Sequence, residues 1–540
     1  MASPAVKPAV VPAALSEHAI ADVCVVGGGL SGLSTALMCA KAGLSVVLLE
    51  SRAVGAGMSG RSSGAAPAWD PHGFATIQGR HGRGVSRSVA RARGAGLDWV
   101  TKTVRKEKIN CGFKEVPAYL LGGNVDKELE ACREVGLDGS TSHEAPAGNS
   151  AGAAKGLKLN RLPGGAAELD PVRFARGLAE ALERHGGRIY EGTRVKSGPF
   201  TISGKVVTLA ANSVDGPIVR ASKGVVLATH SPINRSLAVH SRQSPWRTYN
   251  ITFELPKGAS GVPDALLYSL DGHHARVVDS GAGRRLLLVG GGDSDHVVGQ
   301  MRERYGNKPP FDTLEAWART TFPSAGRVVQ RWSSVVFRPA DIMGLFGVNP
   351  LDVGSPKTRL ITGTSGDAVV GAAMGAMAVA GDILGEAPEW ARVFEPSRLS
   401  SLGNLGSLGD LGTEVGLNVR GYARVLTPTC WRDVVGLVAP GSAERAIKPG
   451  DGQVVQEGLR KVALYRDEQG TLHRHSALCP HQHVLVQWNP VDKTFDCPGH
   501  GSVFDPCGRC VSGPSSRDLE DLGWRREDEG RGEGGGNLVK

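Results

Sequence analysis

No stretch of the 540-residue chain is apolar for long enough to cross a bilayer. The longest, residues 368–381, is bounded by Asp367 and Asp382 and falls short of the roughly 18 to 20 residues that a spanning helix needs. The first twenty residues, MASPAVKPAVVPAALSEHAI, have neither the apolar centre of a secretory signal nor the arginines of a transit peptide. The expectation is a cytoplasmic protein without an integral membrane span, an organelle remaining open. Cysteine is too scarce for a disulfide scaffold: there are nine, and Cys24, Cys39, Cys111, Cys132 and Cys430 are widely scattered. Glycine, by contrast, is abundant at 75 residues. It shows no three-residue period and accompanies ordinary aliphatic content, which excludes collagen and global disorder. The length then predicts two to four domains.

The formal charge of +9 is concentrated in one segment. Nine bases (Arg80, Arg83, Arg87, Arg91, Arg93, Lys102, Arg105, Lys106 and Lys108) face two acids, Asp98 and Glu107, between residues 80 and 108. Val85, Val89, Ala92, Trp99, Val100 and Val104 recur there at helical spacing, so the bases are expected on the wet face of a long amphipathic helix. A docking surface for an acidic electron-transfer partner is the other reading of such a patch. Nucleic acid is not expected, because no nucleic-acid module or stacking aromatics accompany it.

Residues 22–26 read as a buried strand running into Gly27-Gly-Gly29-Leu-Ser-Gly32, residues 33–42 as a helix, and residues 46–49 as a strand ending at Glu50. Strand, glycine turn, helix, strand and acid occur in the order required of a dinucleotide-binding unit. Gly27 suits the tight turn, Gly29 the approach of a pyrophosphate, Gly32 close helix packing, and Glu50 the ribose hydroxyls. Further pieces fit one nucleotide domain interrupted by insertions: a helix over 169–185, a strand over 188–195 to flank the adenine, and a strand over 221–229. A last strand over 359–362 leads into a Gly/Ala/Met-rich helix that runs to Leu384. The run Val289-Gly-Gly-Gly-Asp293 lacks a third spaced glycine and a following helix, so a second nucleotide site, and with it an NAD(P)H-dependent flavin reductase, is not expected. A leucine-glycine run over 397–412 reads as a linker, and the Gly/Glu-rich tail from Arg526 as disordered.

The remaining four cysteines fall late in the chain among histidines. Cys479-Pro-His481 and Cys497-Pro-Gly-His500-Gly501 each bring one thiol and one imidazole, which suits a [2Fe–2S] cluster with two thiolates on one iron and two imidazoles on the other. A zinc ribbon is the competing reading, although its spacings usually pair Cys with Cys. Cys507-Gly-Arg-Cys510 is read as two incidental thiols or a second small redox pair. Strands are expected over 454–460, 461–466, 471–477 and 484–488.

Together with His500-Gly-Ser502, Phe504-Asp505 and Gly513-Pro514, these loops resemble a Rieske domain over about 437–522. The paired extra cysteines of the respiratory-complex type are replaced by Val484 and Gly499, so the site is similar to the ferredoxin-like and oxygenase types. His483 stands where a glycine is usual. The N-terminal part, about 21–395, resembles FAD-dependent oxidoreductases of the glycine/D-amino-acid oxidase superfamily. The likeness lies in the glycine turn, Glu50, Gly57-Met-Ser-Gly-Arg61-Ser-Ser63, Ala228-Thr-His230-Ser-Pro-Ile-Asn234, Arg331-Trp-Ser333, Gly347-x-Asn349-Pro350 and residues 363–375. One departure is Gly366-Asp367-Ala368, where the family reads glycine-asparagine-glycine.

The resemblance implies an α/β (α+β overall) chain: a Rossmann-type FAD-binding domain interrupted by a mixed-sheet substrate domain, then a small all-β Rieske domain. The expected boundaries are a flexible N-terminus over 1–20, FAD-binding parts over 21–77, 149–233 and 324–395, and substrate-domain parts over 78–148 and 234–323. A linker over 396–436, a Rieske domain over 437–524 and a tail over 525–540 follow. FAD contacts are expected at Gly27, Gly29, Gly32, Glu50, Arg52, Gly60, Arg61, Ser62, Val195, Thr229, Gly366 and Asp367, with the N-terminus of the last helix facing the flavin pyrimidine ring. Cluster ligands are expected at Cys479, His481, Cys497 and His500. The implied activity is oxidation of an amine or amino-acid-like substrate by hydride transfer to flavin, with electrons passing singly to the cluster and then to an acceptor, for which an acidic protein is a candidate. An electron-transfer adaptor without its own small-molecule substrate is the alternative. No catalytic base is assigned; Arg61, His230 and Arg338 are candidates for orienting an anionic substrate.

Overall fold

A computed structural model describes residues 13–122, 125–137, 159–196, 205–209, 215–233, 237–256, 262–280, 283–292, 295–300, 309–350, 357–398, 444–458 and 460–525. The expected Leu-Gly linker and acidic tail fall almost wholly outside them. Two compact units result, one of residues 1–296 and 305–414, the other of 297–304 and 415–540.

The first unit is organised by a sheet whose parallel strands lie in the order Arg188–Tyr190, Val46–Leu49, Ala19–Val26, Asp215–Leu227 and Thr358–Thr362. Leu345–Val348 adds antiparallel at one edge. Strands buried on both faces need apolar residues at every position, and the two central ones have them. Val23, Val25, Val46 and Leu48 join the core beneath the helices, whereas Cys24, Val26, Val47 and Leu49 join a second core on the opposite face. Strand order reverses about Ala19–Val26, so the crevice beyond its carboxyl end is the place where such sheets bind ligands. The helix Leu30–Lys41 starts there, and Val370–Leu384 packs beside it. The single strand expected over 188–195 is two short ones, Arg188–Tyr190 and Arg194–Val195.

A second, mostly antiparallel sheet joins Gln243–Leu255, Arg285–Gly291, His273–Asp279, Leu266–Ser269, Ala118–Leu121 and Leu159–Arg161 in that order. Val328–Pro339 pairs along Gln243–Leu255 from Gln243↔Pro339 to Phe253↔Val328. Thus Val328–Pro339 and Leu159–Arg161, which the sequence-based boundaries put on the nucleotide side, belong by pairing to this second sheet. The run Val289-Gly-Gly ends the strand Arg285–Gly291, with Gly291 and Gly292 at φ 78° and 68°. It is a strand end and not a nucleotide turn; Asp293 lies outside the described residues.

The basic segment forms the helix Phe74–Lys106, kinked where Gly82 takes φ 80°. Arg83, Arg87, Arg91, Lys102, Arg105 and Lys106 are exposed as expected. Arg93 is not: it is 2% exposed and turned inward.

The second unit has two four-stranded antiparallel sheets. Gly452–Glu457, Arg460–Arg466, Leu472–Ser476 and Asp521–Arg525 form one, and Gln487–Asn489, Thr494–Asp496, Val503–Phe504 and Cys510–Ser512 the other. Tyr465, Val486, Trp488, Phe495 and Phe504 pack in one core with Cys479 and Cys497. The strand expected over 484–488 starts later, at Gln487, because residues 478–485 fold back as a loop closed by the Leu478↔Leu485 bridge.

Candidate active site and cluster loops

The glycine turn is shaped by contacts that exclude side chains. Gly27 has φ 112°, and a Cβ there would lie 2.4 Å from the Ala228 carbonyl oxygen; one on Gly32 would lie 2.0 Å from that of Gly27. Gly29, the N-cap of Leu30–Lys41, gives the helix no side-chain cap. The Leu30 N–H donates to Ser59 Oγ at 3.0 Å. A helix N-terminus whose own N-cap residue carries no side chain is a ready anion site. Glu50 is 9% exposed; its two oxygens accept from the backbone N–H groups of Gly28 at 2.7 Å and Arg52 at 2.8 Å. The carboxylate is thereby fixed at the strand's end. These features fit a dinucleotide.

The other expected contacts divide. Arg61, Ser62, Gly366 and Asp367 line a cavity of about 520 Å³. Gly60 packs against the Gly55 carbonyl, which a Cβ would approach to 2.4 Å. Val195 sits in the core on the far side of the sheet from the helices. Thr229 follows the strand Asp215–Leu227, its hydroxyl donating to Ser231 O at 2.7 Å, and the Arg52 side chain is exposed. Asn234 lies outside the described residues.

The cavity runs from Ser31 and Ser59 beside the glycine turn to Asn250, Tyr268, His273 and Arg338 on the second sheet. His230, at φ 69°, donates from Nε2 to Val335 O at 2.7 Å, and burial pushes its pKa down to about 4. It is neutral at pH 7. Arg61 donates to Ser333 O at 3.2 Å. Arg338 is ion-paired with Asp295 and lies over the Trp246 ring, 4.5 Å from its centroid.

Arg93 reaches the cavity wall from the long helix. It donates to Pro67 O at 2.8 Å and Ala68 O at 3.1 Å, and pairs with Asp367 at 2.7 Å and Asp70 at 3.2 Å. Burial opposes the Arg93 charge, but the two carboxylates more than offset it and hold its pKa above the ordinary value. Burial likewise works against ionised Asp70, yet Arg93 and His72 keep its carboxyl well below the usual range. Counting bases along the helix missed this inward arginine. The signal that could have found it is its spacing: Arg93 falls between Val89 and Val100 on the apolar stripe.

In the second unit, Cys479, His481, Cys497 and His500 are all buried, at 1%, 2%, 1% and 4% exposure. The His481 and His500 rings meet edge to face, 5.1 Å between centroids. The Cys479 thiol is held up chiefly by its hydrogen bond with Cys497, and Cys497 is held down by the same bond and by the N–H groups of His500 and Gly499. Both loops use one closure. His483 N–H donates to Cys479 O at 2.8 Å and Gly501 N–H to Cys497 O at 3.0 Å, with φ of 58° and 70° at these two closing residues. A Cβ on Gly499 would meet Val484 Cγ2 at 2.9 Å, so the two positions without cysteine are neighbours across the loops. One thiol and one imidazole per loop, with thiol meeting thiol and imidazole meeting imidazole between the loops and all four buried, fit a [2Fe–2S] cluster with mixed ligation.

Comparison with known proteins agrees with both halves. Residues 22–381 match the family model for FAD dependent oxidoreductases, and residues 440–522 that for the Rieske [2Fe-2S] domain. The chain is 25% identical over 529 residues, 94% of each protein, to YhfW of Bacillus subtilis (strain 168), named for a Rieske 2Fe-2S iron-sulfur centre. It is 30% identical over 186 residues to the gamma-glutamylputrescine oxidoreductase of Escherichia coli (strain K12), covering 33% of this chain and 43% of that one. Over 76 residues, 13% of this chain and 31% of the other, it is 41% identical to a cytochrome b6-f complex iron-sulfur subunit of Cyanophora paradoxa, so the Rieske similarity extends beyond the ferredoxin-like and oxygenase types. The fold is shared with glycine oxidase from Geobacillus kaustophilus at a TM-score of 0.51 and 17% identity, covering 70% of this chain and 99% of that one. The chain therefore belongs to the FAD-dependent oxidoreductase family and carries a C-terminal Rieske domain, an enzyme whose cofactors are FAD and a [2Fe–2S] cluster.

Proposed function

We propose that this enzyme oxidises the C–N bond of an amine or amino-acid-like substrate and delivers the electrons singly, by way of the Rieske domain, to an external acceptor. FAD supplies a hydride acceptor and the cluster a one-electron carrier. Gly27, Gly29 and Gly32 would let the dinucleotide approach the helix N-terminus, and Glu50 would accept the ribose hydroxyls. Arg61, Ser62, Gly366 and Asp367 would border the flavin end of the cavity, while Gly60, Arg52, Val195 and Thr229 support the surrounding backbone or the adenine side. Cys479, His481, Cys497 and His500 would hold the cluster.

The observation that carries the reading is the single cavity joining the glycine-turn side to the second sheet. Its walls bear both signs of charge, with Arg61, Arg80 and Arg338 against Asp271, Asp295 and Asp367. That inventory suits a small zwitterion or a cation. His230 serves as a neutral hydrogen-bonding group: its Nε2–H donates to Val335 O, and a pKa that burial lowers to about 4 makes it a weak base. The adaptor reading leaned on the basic helix and on an exposed His481/His500 edge, but Arg93, His481 and His500 are buried, and Arg83, Lys102 and Arg105 already pair with Glu134, Asp98 and Glu115. An anaerobic panel of amines and amino acids, followed at the flavin absorption band, tests the proposal. Rapid bleaching by a member of the panel is expected; flavin that stays oxidised with every compound would reject an amine-oxidising function.

A further inference from the structure

Asp367 has an unusual position for a carboxylate. Its side chain is 6% exposed. One oxygen, Oδ2, accepts from Arg93 at 2.7 Å; the other, Oδ1, is buried without a hydrogen-bond partner among the described residues, and the residue lines the cavity shared with Ser59, Arg61 and Ser62. A buried unpartnered carboxylate oxygen is costly, so its retention calls for a function. The arginine does not cancel it. Arg93 also serves Asp70, so two carboxylates share one guanidinium and the group carries a net negative charge when all three are ionised.

The same carboxylate stands at the start of Val370–Leu384. A Cβ on Gly371 would be 3.3 Å from Asp367 Oδ2, and the helix receives no side-chain cap from its N-cap Val369. The positive end of that helix would by itself favour added electron density on a flavin. A fixed carboxylate between helix and cavity acts in the opposite sense.

We propose that Asp367 is a redox-tuning residue: its charge, incompletely balanced by Arg93, makes FAD in this cavity harder to reduce than an uncharged residue at the same position would. The inference rests on the reading of the cavity as the flavin site. Reduction adds negative charge to the flavin, and a neighbouring negative charge in a site shielded from water raises the free energy of the reduced form more than that of the oxidised form. A lower flavin potential also steepens the fall to the cluster.

The test is a dithionite titration of the full chain with mediator dyes, in which flavin is followed by its absorption and the cluster by EPR. Asp367→Asn keeps an acceptor for Arg93, whose bonds to Asp70, Pro67 and Ala68 remain. It is expected to tighten reduced over oxidised FAD by about tenfold, a rise of about 30 mV for a two-electron couple, with the cluster potential unmoved. A flavin potential equal to the wild type, with FAD bound stoichiometrically, would overturn the proposal. If Asp367→Asn does not retain FAD, Asp70→Asn decides, because it removes the second carboxylate from Arg93 without touching the cavity oxygen. A smaller rise is expected there, and no rise overturns the proposal. Neither titration uses substrate, so an inactive amine panel would reject the proposed reaction and leave this result standing.

Discussion

Backbone conformation at single residues sets much of this protein's chemistry. His483 closes the first cluster loop at φ 58°, where Gly501 does the same in the second at φ 70°. A left-handed conformation strains an L-residue but not glycine. His483→Gly is therefore expected to stabilise the loop by about 0.5–1 kcal/mol, seen as a higher temperature for loss of the cluster's visible spectrum; a lower temperature would show that the imidazole contributes a contact. Gly32→Ala is expected to act oppositely. Its methyl would sit 2.0 Å from Gly27 O, and the strain of overpacking, about 1–3 kcal/mol, should appear as weakened FAD retention on gel filtration. At His230 the consequence is pH dependence. Its folded pKa of about 4 lies below the ordinary 6.5, so the unfolded chain binds a proton that the folded chain refuses, and stability is lost as pH falls from about 6.5 to about 4. The amide of His230→Gln can still donate to Val335 O, and its thermal midpoint should decline less steeply across that window. Equal slopes would place the titration elsewhere, His274, whose pKa burial also lowers to about 4, being a second candidate.

At the level of elements, the helix Phe74–Lys106 shows why charge counting and structure part company. Seven of the nine bases are exposed among residues 80–106, as helical spacing led one to expect; the eighth, Lys108, lies past the helix end, and Arg93 alone is built into the core. Breaking a buried ion pair from one side leaves uncompensated charge and costs about 3–5 kcal/mol. Arg93→Met should approach that loss in urea unfolding, whereas Arg91→Met, two residues away and exposed, should stay within about 0.5 kcal/mol. Similar effects from the two would mean that Arg93 is not holding Asp70 and Asp367. The second sheet carries a related lesson. Local periodicity locates the strand Val328–Pro339 poorly with respect to a domain, because its partner, Gln243–Leu255, is distant in sequence and only pairing assigns it.

For the whole molecule, the testable property is the joining of a two-electron and a one-electron cofactor in one chain. Exhaustive reduction of the intact protein should take three electrons, two for FAD and one for the cluster. Cys497→Ser, which removes a proposed cluster ligand, should take two while its flavin spectrum persists. Three electrons in that variant would mean that the cluster does not depend on Cys497. His481→Cys provides the complementary test: a cluster that assembles with an added thiolate should have a lower potential than the mixed Cys/His site, and an unchanged potential would exclude His481 as a ligand.

The sequence by itself determined the two cofactor classes, because glycines that forbid a Cβ and thiol-imidazole pairs at short spacing are local requirements written in consecutive residues. It also located the central strands of the nucleotide sheet, since burial on both faces demands an uninterrupted apolar run such as residues 23–26. Only the tertiary structure decided that Arg93 belongs to Asp70 and Asp367, that His483 mirrors Gly501, and that one cavity runs from Ser31 to Arg338. Those facts depend on side chains brought together across as many as 341 positions of the chain (372 less 31), and charge pairing and cavity shape follow from proximity in space, which local spacing does not encode.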